Sequence, residues 1–353
     1  MTYFIRFIES RVRLFFILIL VAIVASFSFA RGAVDSAPSV SVYSHRHYEV
    51  DQLLYDRFTD VTGIEVKVVN AGADELIERL KAEGTRSPAD LLITVDAGRL
   101  NRAVAEGLLQ AVASSVLESK IPAHLRDTSG YWFGLTKRAR VIVRSIERVP
   151  EGAIRTYEEL AASPWQGKVA ARSSSNVYNQ SLVASIVAAH GTEEAARWAK
   201  GLVINFARKP QGNDRDQMKA IAAGIADLAV VNTYYVGLMA TSENSEERRV
   251  VEGLAIIFPN QEGRGTHVNV SGAGVTAHAP NRENAISLLE FLVSDDSQAE
   301  YAAANFEYPV VESVPPSELI ASWGSFKEDK LPLTQLGEMN TEAVKIMDLA
   351  GWR

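Results

Sequence analysis

From residue 39 onward the apolar positions follow two alternating periods. Residues 39–44 alternate with β-branched and aromatic side chains, the two-residue period of a strand. Residues 51–63 switch to helical spacing, with Leu53, Leu54, Phe58 and Val61 and a stop at Gly63. IEVKVV (64–69) returns to strand, and a helix capped by Asp74 and carrying Leu76, Ile77 and Leu80 follows. DLLITV (90–95) is apolar without alternation, as in a strand covered on both faces by helices, and GRLNRAVAEG then reads as a helix. The stretch 39–107 is therefore β-α-β-α-β-α, the pattern of an open α/β sheet.

The pattern then restarts. RVIVRS (140–145) and KVAAR (168–172) read as strands, and the segment VYNQSLVASIVAAHG as a helix ending at Gly191. A helix over 214–224 has Asp214 as its cap and Gly224 as its stop, and DLAVVN (227–232) is a second buried strand. Two further β segments (252–259 and 269–277) precede a helix from about Asn281 to Val293. The paired glycines Gly272 and Gly274 mark close strand packing, since they lack the dinucleotide-binding spacing. No Pro/Ser/Gly-rich linker separates the halves, so extended chain must cross between them. This predicts an α/β, two-lobed binding-protein fold of the class II type, with hinge strands and a ligand cleft between lobes. In such sheets ligands bind beyond the carboxyl ends of the strands.

Upstream of this pattern, Arg6, Arg11 and Arg13 precede an uncharged run from Leu14 to a small-x-small motif at Ser28-Phe-Ala30. Residues 1–30 thus read as a secretory signal peptide, which places the rest of the chain in the periplasm. A retained membrane anchor is the rival reading of the same run. The formal charge of −7 disfavours a nucleic-acid partner. With no cysteine among 353 residues, disulfides, cysteine zinc sites, iron–sulfur clusters and a cysteine nucleophile are all excluded.

Three strand-to-helix turns carry tyrosine: His45-Arg46-His47-Tyr48, then Ser173 through Tyr178, then Thr233-Tyr234-Tyr235. Tyr55, Tyr157 and Tyr301 read as packing residues, as a lone tyrosine usually is. A cluster of phenols suits a hard, highly charged cation. A free phenol ionises near pH 10, so each phenolate at neutral pH costs about 4 kcal/mol until a strong cation displaces the proton. Four phenolates on a trivalent ion leave one excess negative charge, which Arg138 or Arg46 can balance. His45 reads as a solvent or sheet-edge residue, His124, His190, His267 and His278 as structural, and Asp96 as a helix cap or as an acceptor that orients a ligand. Two other cargoes stay open, an oxyanion at Ser173–Ser175 and a polyamine, as does a tyrosinate-iron enzyme.

The segments YSHRHYEVDQLLYDRFTDVTGIEVKVV, RSSSNVYNQSLVASIVA, GNDRDQMKAIAAG, DLAVVNTYY and GTHVNVSGAGVTAHAPN resemble the periplasmic ferric-iron-binding proteins of ABC importers, the FutA-like members above all. The resemblance covers nearly the whole chain after the leader. It implies iron ligands at Tyr48, Tyr178, Tyr234 and Tyr235, with Arg138 as the basic residue beside the metal. His47 falls where some members use histidine as an additional or alternative ligand. It further implies Fe3+ as transported cargo, with Fe2+ as the alternative, and neither an organic cofactor nor catalysis. The expected partners are an inner-membrane ABC permease and its ATPase, the protein itself being a monomer. The expected lobes are 38–135 plus 262–312 and 136–261 plus 313–353.

Overall fold

The computed structural model describes residues 37–353, so the leader expected over residues 1–30 lies outside the described residues. The strands are β1 (Ser39–Ser44), β2 (Glu65–Asn70), β3 (Leu91–Val95), β4 (Phe133–Ser145), β5 (Val169–Ala170), β6 (Leu228–Asn232), β7 (Leu254–Ile257), β8 (Val268–Val275) and β9 (Tyr308–Pro309). They form one mixed sheet in the order β2-β1-β3-β8-β4-β6-β5, with β7 and β9 also paired to β4. The β-α-β-α-β pattern read from residues 39–95 is present, and β3 is buried along its whole length. Parallel strands of this kind need helical crossovers, which the helices Glu49–Thr62 and Ala73–Glu83 supply.

Strand β4 organises the molecule. Its first half, Phe133 to Ala139, pairs antiparallel with β8; its second half, Arg140 to Ser145, pairs with β6 and β7. The chain thus passes from the β1–β3 half of the sheet to the β5–β6 half between Ala139 and Arg140. The sequence pattern places a strand only at 140–145. The preceding FGLTKRA lacks an apolar period because its cations are taken into the protein: Lys137 pairs with Glu328 at 2.8 Å, and Arg138 is only 2% exposed. Buried charges with partners behave like core residues, and periodicity cannot register them.

Three other expectations shift locally. The helix Asp214–Ala222 is capped by Asn213, which accepts from the amides of Arg215 and Asp216 at 2.9 and 3.3 Å. Asp214 turns inward instead. The helix expected to be capped by Asp74 begins at Ala73, with Asp74 in its first turn. The strand expected over 168–172 shortens to Val169–Ala170, which frees Arg172 to turn toward the site. Gly191, at φ 80°, ends one helical segment as expected, and the chain resumes as helix to Ile204. Gly272 and Gly274 do mark close approach: a Cβ there would stand 2.7 Å from the Phe133 carbonyl oxygen and 2.5 Å from that of Tyr131.

The crossing of β4 and β8 is pinned by one phenol. Tyr157, fully buried, donates its hydroxyl to the Arg140 carbonyl and accepts from the His267 amide at 3.2 Å. The Arg140 amide donates to the His267 carbonyl at 2.9 Å, so the residue that leads into β8 is tied to β4 where β4 changes partners. Tyr157→Phe keeps the ring and orphans one donor and one acceptor. Unfolding in urea should show a loss of about 1–3 kcal/mol. An unchanged midpoint would mean that the hydroxyl ties nothing.

Candidate metal centre

The four tyrosines singled out from the sequence all stand at helix beginnings. Tyr48 immediately precedes the helix Glu49–Thr62, Tyr178 is the second residue of Val177–Ile204, and Tyr234 and Tyr235 are the second and third of Thr233–Ala240. Each helix start follows the carboxyl end of a strand, or the short loop beyond it, so the sheet aims all three at one place. The partial positive charge of a helix N-terminus favours an anion such as a phenolate.

The phenols converge. Tyr178 and Tyr234 meet hydroxyl to hydroxyl at 3.3 Å, and the rings of Tyr234 and Tyr235 lie 4.2 Å apart between centroids. The Tyr48 hydroxyl is held far above its ordinary range of ionisation, first by burial and then by Glu307, with further contributions from Tyr178 and Tyr235 across the cleft. Burial also raises Tyr178 and Tyr234; the phenol neighbours push Tyr234 up further, whereas at Tyr178 Arg138 and the hydrogen bond with Tyr234 work against burial and Tyr235. Tyr48, Tyr178 and Tyr234 are therefore neutral phenols at neutral pH, each primed to lose a proton only to a strong cation.

Tyr48 comes from the β1–β3 half and is fixed by a buried ion triad. Its amide donates to Asp51 Oδ2 at 3.1 Å; Arg46 holds Asp51 at 3.1 Å and Glu307 at 2.9 Å. The Arg46 guanidinium lies 5.0 Å over the Tyr48 ring. His47, by contrast, is exposed; its Nδ1 is 3.2 Å from the His45 carbonyl oxygen and its ring stacks on Tyr48 at 6.0 Å. His45 is half-buried, with Nδ1 3.4 Å from the Ala71 carbonyl oxygen.

Tyr178 sits among three arginines. Arg138, Arg140 and Arg172 place their guanidinium carbons 5.5, 5.9 and 5.6 Å from its ring centroid. Arg138 and Arg140 share a face of β4 because residues two apart on a strand point the same way. Asp214 binds Arg140 at 2.7 Å and Arg172 at 2.9 Å, and Asn179 accepts from Arg140 at 2.8 Å. Arg138 donates only to Ser271 Oγ at 3.2 Å, while its Nε and Nη2 are buried without partners. Around Tyr178 the three arginines outnumber Asp214 and the nearby Asp96 by one, while beside Tyr48 Asp51 and Glu307 outnumber Arg46 by one, so the balance for phenolates lies on the Tyr178 side.

Sequence reasoning did not reach Arg140, Arg172 and Asp214. Only the inward turn of Asp214, one residue past the true cap, carries a signal, and it shows only in three dimensions. His267, read as structural, is buried beside Arg138 and Arg140, and burial followed by Arg264, Arg140 and Arg138 pushes its pKa down to about 3. The unfolded chain takes up this proton near pH 6.5 and the folded protein does not. Stability from this group is thus full above pH 6.5 and falls at about 1.4 kcal/mol per unit as the pH drops toward 3. Urea titrations across that range should lose one proton's worth of slope in His267→Asn. Equal slopes in parent and variant would refute the buried neutral imidazole.

Residues 54–328 match the family model of the bacterial extracellular solute-binding proteins. The chain is 52% identical to iron uptake protein A1 of Synechocystis over 89% of its own length and 87% of that protein's. It is 26% identical to the major ferric iron-binding protein of Neisseria meningitidis serogroup B, over 91% and 95%. Among solved structures, a Trichodesmium FutA (IdiA) in complex with iron and citrate superposes with a TM-score of 0.87 at 50% identity, covering 89% of this chain and all of that one. A ferric binding protein from Campylobacter jejuni superposes at 0.84 with 42% identity, over 89% and 100%. The architecture is the two-lobed α/β fold of these proteins, and the chain belongs to the bacterial extracellular solute-binding family, in its FutA-like ferric-binding branch.

Proposed function

We propose that this chain is a periplasmic binding protein that captures ferric iron between its lobes and delivers it to an inner-membrane ABC permease and ATPase. The observation that carries the reading is the convergence of Tyr48, Tyr178, Tyr234 and Tyr235 from three helix N-termini beside the guanidiniums that surround Tyr178. These four phenols are the proposed ligands, with Arg138 as balancing charge and His47 as the fifth donor available at the exposed rim. Fe3+ is the cargo these groups fit, because a trivalent ion repays the displacement of several phenolic protons where a divalent one does so poorly. Names and solved complexes of the relatives support the same cargo. The protein acts as a monomer that binds and releases without chemistry on its cargo. The leader read over residues 1–30 supports export. The sheet supports lobes of 38–135 plus 262–312 and 136–261 plus 313–353, since β4 changes partners at residues 139–140. An oxyanion cargo has one observation in its favour, the two free nitrogens of Arg138, but leaves the phenols without a role.

Purified protein given ferric iron from a weak chelator should turn orange-red through phenolate-to-iron charge transfer. Tyr234→Phe with Tyr235→Phe should lose most of that band, and affinity should fall by more than the roughly 10–100-fold that loss of an outer partner of a metal ligand costs. Unchanged colour in the double variant would reject the ligand set, and phosphate binding in the absence of iron would favour the oxyanion.

The proton balance yields a second expectation. Tyr48, Tyr178 and Tyr234 have raised pKa values in the empty protein, so they hold their protons until the metal arrives. Binding must release those protons, and apparent affinity must therefore rise with pH and fall as the solution is acidified. Titration calorimetry in two buffers of different ionisation enthalpy should register more than one proton released per iron. Release of none would contradict phenolate ligation.

A further inference from the structure

Asp96 ends β3 and begins the helix Ala97–Ala105 in a backbone conformation, φ 143°, that residues other than glycine seldom adopt. It is fully buried. As a helix cap it needs one bond, which it has: Oδ1 accepts from the Gly98 amide at 2.8 Å. Capping leaves the rest of the carboxylate to be explained. Oδ2 accepts from Asn269 Nδ2 at 2.9 Å, a residue of β8 whose own Oδ1 takes the Ala97 amide at 2.9 Å. Both oxygens also receive the Ser181 hydroxyl, at 3.0 and 2.9 Å.

Ser181 belongs to the other half of the molecule. It lies three residues beyond Tyr178 in the helix Val177–Ile204, on the same helical face, and is 2% exposed. The Asp96–Ser181 bond therefore crosses the cleft and grips the helix that presents Tyr178. Asp96 itself lines the small pocket that Arg138, Arg140 and Tyr178 also line. A buried carboxylate in strained backbone that accepts from both halves is more than a cap requires, and strain of this kind is retained where a fixed geometry serves a function.

Resting on the iron-binding reading above, we propose that Asp96 is a latch and a positioning residue. Its carboxylate takes the Ser181 hydroxyl only when the lobes are closed, and so favours the closed state and slows the loss of cargo without touching it. A bond that exists in one state alone shifts the equilibrium toward that state by its differential strength.

Ser181→Ala removes the crossing donor and leaves the Gly98 and Asn269 bonds to Asp96 in place. Loss of a hydrogen bond to a buried carboxylate should speed iron transfer to a competing chelator by about tenfold. The charge-transfer band should keep its position, and the radius of the empty protein in small-angle scattering should grow toward the open form. Asp96→Asn retains a capping oxygen that also accepts from Ser181, and should release iron at a rate between parent and Ser181→Ala. Release and scattering both unchanged in Ser181→Ala would overturn the latch. Faster release with a displaced band would also overturn it, because Ser181 would then act by setting the Tyr178 ligand. If the parent takes up no coloured iron, the functional reading fails by itself. The scattering comparison of empty parent and variant still decides the latch.

Discussion

Four phenols, three of them raised in pKa chiefly by burial, must share one space, and the rest of the structure depends on how that is arranged. Neutral phenols tolerate crowding, as the contact between Tyr178 and Tyr234 shows. Phenolates do not, because each raises the cost of the next. The protein places its counter-charge beforehand in side chains that never give up their protons: Arg138, Arg140 and Arg172 around one ring, and Arg46 over another. Guanidinium suits this task because it stays charged when buried and can lie flat against an aromatic face.

Holding so many cations in an interior requires carboxylates placed among them. Asp214 serves two arginines from the start of one helix, while Asp51 and Glu307 bracket Arg46 in the other half. Of these four arginines, Arg138 is the one left with two nitrogens unserved, beside the Tyr178 ring. The arrangement hangs on β4, which carries Arg138 and Arg140 two residues apart on either side of the point where the sheet changes halves. A change of angle between the halves at that point alters the surroundings of both cations at once.

Much of this was legible in the sequence, for reasons that particular residues make plain. The tyrosines were found because each follows a strand and opens a helix, a relation that lies within a few residues of chain. The continuous run at β3 announced burial on both faces, and Gly272 and Gly274 announced close approach of backbone. What escaped depends on contacts far apart in sequence. Asp214 looks like a helix cap because it stands beside one, and only the fold turns it toward Arg140 and Arg172, 74 and 42 residues away. FGLTKRA reads as loop because its polar side chains find partners in segments more than a hundred residues distant, Ser271 and Glu328. The cap at Asp96 was foreseen, whereas its grip on Ser181 joins two segments 85 residues apart.

The uneven division of the phenols, one from the β1–β3 half and three from the β5–β6 half, makes the cleft a jaw with one tooth against three. On the proposed ligand set, an arriving ion meets a seat of three donors already gathered on one lobe, and the arrival of Tyr48 converts capture into confinement. Unloading runs the same path backwards: a partner that pries the lobes apart has one metal–oxygen bond and the Asp96–Ser181 bond to break before the ion lies open to exchange. A site strong enough to strip iron from its surroundings can in this way surrender it to a modest mechanical push, because strength is divided among four bonds while access is governed by the few that span the cleft.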